Sequence, residues 1–88
     1  MKNKENKTAK VFLQKLGREQ ACGICDYSKG QIKIDPRLKP FPMLETVLHE
    51  SLHWLEPEWS ERKVTVTAKK LAKIVWDFKF RQLRELPQ

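Results

Sequence analysis

The chain has 88 residues, with 18 Lys and Arg against 11 Asp and Glu, a net charge of +7, and 40% hydrophobic and 33% charged residues. That length suits one domain with a modest core, and no apolar run approaches the roughly 18 residues of a membrane span, which excludes a helical membrane-spanning protein. Lys and Arg are spread over the tail, the loops and one helix face, so a solvated surface accounts for the charge better than a nucleic-acid footprint.

Residues 1–8, Met1-Lys2-Asn3-Lys4-Glu5-Asn6-Lys7-Thr8, are basic and lack the apolar stretch of a secretory signal. They read as a disordered tail of a cytoplasmic protein, and residues 9–88 as a single domain. Residues 9–16 sit between two periods. Val11 and Leu13 alternate as in a strand, while Phe12 and Leu16 also suit a short helix. Gly17 ends the segment promptly and sheet-like segments follow, so a strand is expected.

Ser28-Lys29-Gly30 separates two short arms, which is a hairpin signal with glycine where a positive φ is wanted. In the second arm Ile32 and Ile34 alternate inward against Gln31, Lys33 and Asp35, and Pro36 ends it. Cys22-Gly23-Ile24-Cys25 is a C-x-x-C with no second ligand pair for a zinc knuckle and no following helix for a redox motif. Positions i and i+3 of a strand face opposite ways. Two free cysteines, at least one buried, are expected.

A helix is expected over residues 42–55. Pro42 suits the first helical position, Leu44, Val47, Leu48, Leu52 and Leu55 repeat with a 3.6-residue period, and Pro57 bars continuation. This helix carries His49-Glu50-Ser51-Leu52-His53, which contains both histidines of the chain. Four residues advance a helix by roughly 6 Å, so both imidazoles project from one face and can reach a single Zn²⁺ at about 2.0–2.1 Å. Glu50 lies about 100° around the helix, placed to act on a metal-activated water rather than as a ligand. With the leucine stripe inward, neither histidine lies on it, so they are not core histidines.

A long second helix is expected over residues 60–84. Ser60 suits its N-cap, Val64, Ala68, Leu71, Ala72, Val75 and Phe78 form its apolar arc, and Arg62, Lys63, Lys69, Lys70, Lys73 and Arg81 collect on the other side. Glu61 falls on the inward arc in the first turn. Interaction with the helix N-terminus is one account of it. The sharper account is metal ligation, because a turn over residues 56–59 returns Glu61 to the end of the first helix beside His53. Glu58 in the turn and the poorly aimed Glu56 are rivals for that third place.

His49-Glu50-Ser51-Leu52-His53 with Pro57 and Ser60-Glu61, preceded by Cys25-Asp26-Tyr27 and Ile32-Lys33-Ile34-Asp35-Pro36, resembles the short zincin-like metallopeptidases, minimal relatives of the gluzincins, many of them phage-encoded. The resemblance covers residues 20–75. It implies an α+β, zincin-like fold, with a small antiparallel sheet of two or three strands (residues 10–35) packed on the H-E-x-x-H helix and the long C-terminal helix. An edge strand over residues 31–35 would lie above the metal. Glu56 and Trp59 stand where a metzincin has Gly and a third His, so that branch is not expected. The large C-terminal subdomain of full gluzincins is not expected either.

The activity expected is a zinc-dependent metallopeptidase acting on a peptide or protein. His49, His53 and Glu61 would hold Zn²⁺, with Glu50 as general base toward a zinc-activated water. Ile32, Lys33 and Ile34 would bind an extended substrate by β-augmentation, and Tyr27 is a candidate for polarising the oxyanion. The alternative keeps the zinc as a structural clasp in a non-catalytic binding or regulatory protein that contacts nucleic acid through its basic helix face. No membrane partner is expected.

Overall fold

A computed structural model describes residues 8–17 and 22–80. The tail over residues 1–7 and the second helix's expected continuation beyond residue 80, with Arg81, lie outside the described residues. Strands β1 (Lys10–Leu13), β2 (Gly23–Asp26) and β3 (Gln31–Ile34) form one sheet, followed by helices α1 (Pro40–Leu55) and α2 (Glu61–Asp77). The architecture is α+β. No described helix is long and apolar enough to cross a membrane.

The sheet is mixed rather than antiparallel, with order β1-β3-β2. β2 and β3 form the expected antiparallel hairpin, turning at Gly30 with φ 63°, but β1 pairs with β3 in parallel. The reason is a clasp after β1. The Leu16 N–H donates to Asp35 Oδ2 (3.2 Å) and Arg37 Nη2 donates to the Leu16 carbonyl (3.1 Å). The chain, held past the end of β3, enters the sheet at the far edge as β2 and returns through the middle. β3 is therefore central, which corrects the expectation of an edge strand over residues 31–35. Asp35, expected to face outward, is buried in that clasp.

Ile32 and Ile34 are buried under α1 with Met43, and Val47, Trp54, Leu38 and Cys25 pack around them. α1 begins at Pro40, two residues before expected, because prolines at N1 and N3 remove N–H groups that have no intrahelical partner there. Its inward face also differs from the expected stripe. Met43 and Glu50 are the buried residues of α1, whereas Leu55 is 64% exposed. The sheet lies against the Met43–Val47–Glu50–Trp54 side, so the leucines fall on a flank.

α2 packs on α1 through Val64, Ala68 and Ala72, all buried. The Ser60 Oγ accepts from the Lys63 N–H at 3.1 Å, completing the expected N-cap. The helix stops at Asp77 rather than near residue 84. Lys79 adopts φ 76°, the Phe80 N–H reaches the Val75 carbonyl (3.2 Å) and the Lys79 N–H reaches Trp76 (2.9 Å), a Schellman closure made without glycine.

Candidate metal centre

Three elements build the site. Adjacent turns of α1 present His49 and His53, with ring centroids 4.9 Å apart. The turn over residues 56–60 reverses the chain, and the first residue of α2 returns its carboxylate to both rings. Glu61 Oε2 lies 3.1 Å from His49 Nε2, and Glu61 Oε1 lies 2.9 Å from His53 Nε2. One ligand atom from each residue falls within 4.8 Å of the other two. Donors bound tetrahedrally at about 2.0–2.1 Å stand roughly 3.3 Å apart. Each imidazole meets a different Glu61 oxygen at hydrogen-bonding distance, and a set of one ligand atom per residue, which spreads over up to 4.8 Å, would have to draw together around a cation. Two neutral imidazoles and one carboxylate are also a donor set suited to Zn²⁺. Glu56 and Glu58 are exposed and outside the cluster.

Glu50 is set apart from these three. It is 8% exposed, and burial pushes its carboxyl above the ordinary value, with the neighbouring His49 and His53 pulling the other way. It is held against β2, where the strand comes unusually close. A β-carbon on Gly23 would lie 2.8 Å from Thr46 Cγ2 and 3.0 Å from Glu50 Cγ. Glycine lets the strand rest directly on the helix that carries both histidines. The signal was present, since glycine within a strand marks close backbone approach, but it stood inside the C-x-x-C. Both cysteines are free. Cys22 is exposed and Cys25 half-buried against the core, so neither is fully buried as expected.

The glutamates open on a cleft of about 290 Å³ between the β2 edge, α1 and α2, lined by Cys22, Gly23, Thr46, Thr65 and Lys69 among others. An ion pair between Lys69 and Glu45 (3.0 Å) spans the two helices there. Thr65, one turn beyond Glu61, brings its hydroxyl to 3.5 Å from Glu61 Oε2. Thr65 is not among the residues expected at the site, although its i+4 spacing puts it on the same helix face as Glu61.

Ile32, Lys33 and Ile34 are not at the cleft. Ile32 and Ile34 are core residues of the central strand, whose two edges are occupied by β1 and β2. The edge that borders the cleft is β2. Because the Asp35 N–H donates to the Cys22 carbonyl (2.9 Å), Cys22, Ile24 and Asp26 turn their backbone groups to β3, and Gly23 and Cys25 turn theirs outward. Tyr27 is committed elsewhere. Its hydroxyl donates to the His53 carbonyl at 2.6 Å, and its ring stacks on Trp54. Burial is the largest cause pushing its pKa up to about 12. No protein-family model, curated protein or solved structure matches the chain.

Proposed function

We propose that this protein is a zinc-dependent metallopeptidase, its metal held by His49, His53 and Glu61 and its general base Glu50. The observation that carries the reading is the convergence of a carboxylate from α2 on two imidazoles of α1, with a second, buried carboxylate on the cleft beside them. When bound, Zn²⁺ supplies Lewis acidity, lowering the pKa of a water to about 7 and polarising a carbonyl.

The chain's own residues have separable tasks. His49 and His53 offer Nε2 lone pairs in their neutral form. Glu61 contributes negative charge from a helix rigidly capped at Ser60. Glu50 accepts the proton of the attacking water and returns it to the leaving amine, a role in keeping with a carboxyl pKa that burial raises. An extended peptide would be aligned by the outward N–H and C=O groups of Gly23 and Cys25 on β2, in place of the expected Ile32–Ile34 segment.

The Glu50→Gln variant tests this reading. Titration calorimetry with Zn²⁺ is expected to give one site per chain in both wild type and variant. Hydrolysis of casein or a peptide library by the zinc-loaded protein should fall by roughly 10²–10⁴-fold in the variant. Wild-type protein that binds zinc but cleaves nothing, or a variant that cleaves as fast as wild type, sinks the proposal.

A further inference from the structure

We infer that β1 is the contact edge of a symmetric dimer, pairing antiparallel with β1 of a second copy about a two-fold axis at Phe12. This reading concerns the side of the sheet away from the cleft and does not depend on the metal.

β1 is an edge strand, and all four of its residues are exposed. Val11 is 52%, Phe12 39% and Leu13 56% exposed. Val11 and Leu13 stand in register with Ile32 and Ile34, so they belong to the core face of the sheet, at the point where α1 no longer covers it. Natural edge strands are usually blunted by shortness, lysine, proline or a bulge, and β1 carries two of these, in Lys10 at its start and in its four-residue length. The outward positions here carry valine and leucine.

The backbone groups of β1 divide between its two sides. The Lys10 N–H donates to the Gly30 carbonyl and the Gln14 N–H to the Ile34 carbonyl, both at 2.9 Å. Lys10, Phe12 and Gln14 thus spend their backbone groups on β3, and Val11 and Leu13 direct theirs outward. A two-fold at Phe12 sets Val11 opposite Leu13 of the second copy and Leu13 opposite Val11. The outward-pointing residues of each strand then meet as hydrogen-bonded pairs, giving four new bonds. Their side chains stay on the core face of a continuous six-stranded sheet, and the two Phe12 rings become a cross-strand aromatic pair. Charge agrees with this register. Lys10 falls opposite Gln14 and Lys15 opposite Ala9, so no like charges face each other.

Among the helices, Leu55 (64%) and Ile74 (65%) are further exposed apolar residues. The exposed apolar side chains of β1 bury less than the roughly 1,200–2,000 Å² of a stable specific interface, which places the contact in the range of weak, transient association. A weak, concentration-dependent dimer is therefore expected.

Sedimentation velocity of the full chain over a concentration series tests the inference, with Val11→Pro beside wild type. The Val11 N–H does not serve the β1–β3 ladder, so proline there removes only the outward donor. Wild type should shift from monomer to dimer across the series, and the variant should raise the dissociation constant by at least about 10-fold. Independently of that variant's folding, Phe12→Cys in a Cys22→Ala, Cys25→Ala background should link two copies through position 12 on oxidation. Non-hydrogen-bonded antiparallel pairs bring Cα atoms to about 4.5 Å, within disulfide range, whereas Lys15→Cys should link far less. Wild type that stays monomeric throughout, a dimer indifferent to Val11→Pro, or equal cross-linking at positions 12 and 15 would overturn it.

Discussion

Glu50 and Asp35 are the two buried carboxylates among the described residues, and their surroundings push them in opposite directions. The Arg37 guanidinium, which donates to both Asp35 oxygens, holds that carboxyl well below the usual carboxylate range, helped by the backbone N–H groups of Arg37 and Leu16. A depressed folded pKa contributes stability that is present above the ordinary 3.8 and lost as pH falls through the folded value. Asp35→Asn should therefore be less stable than wild type at neutral pH in urea denaturation, with the gap closing in acid; a constant gap would refute the assignment. Glu50 has the opposite sign. Its folded pKa is raised by burial, so its contribution is full below the ordinary 4.5 and is lost as pH rises through the raised value. In metal-free protein, wild type should weaken relative to Glu50→Gln from acid to neutral pH, and parallel pH profiles would show that Glu50 is not desolvated. The placement of Glu50 beside the histidine pair was legible from its position after His49, but its burial was not. The leucine stripe pointed to one inward face of α1, and the sheet lies against another. Asp35 was misplaced because strict alternation ignores a partner two residues further on.

At the scale of elements, the close packing of β2 on α1 is what positions Glu50, and it depends on one missing side chain. Gly23→Ala would press a methyl onto the β-branched, and so stiff, Thr46 at 2.8 Å. Overpacking of this kind costs about 1–3 kcal/mol, while the reduced chain entropy of alanine returns ~0.4–1 kcal/mol. A net loss of ~1–2 kcal/mol is expected in urea denaturation, together with shifted NMR signals at Thr46 and Glu50. A change below ~0.5 kcal/mol would mean that the strand moves aside freely. Both helices were legible as elements, since their periodicity and the Ser60 cap are local properties. Their outer ends were less so. α1 begins under two prolines with no side-chain cap, and α2 ends on Lys79 at positive φ, where composition alone offers no stop signal.

For the whole molecule, strand order was the feature least open to sequence reading, because which strand lies at an edge depends on contacts far apart in the chain. The parallel β1–β3 pairing follows from the Leu16–Asp35–Arg37 clasp, and it moves the cleft-side edge from β3 to β2. The helical hairpin is closed at one end by Glu61 on the two histidines. That carboxylate is 70% exposed, so alone it contributes little to stability. A cation held by all three residues would act differently, since binding to the folded state alone adds RT ln(1 + [L]/Kd), about 4 kcal/mol at a thousandfold excess over Kd. For a chain of this size that is a large share of a total of roughly 5–15 kcal/mol, and at ~4–8 °C per kcal/mol it raises Tm by some tens of degrees. Differential scanning calorimetry of EDTA-treated and Zn²⁺-loaded protein should show that rise. His53→Ala and Glu61→Ala should each remove most of it, and Glu50→Gln should keep it, because Glu50 is not a ligand. Coincident melting curves with and without Zn²⁺ would exclude a cation at this site. A rise retained in Glu61→Ala would move the third ligand elsewhere, with Glu58 in the preceding turn the first residue to substitute.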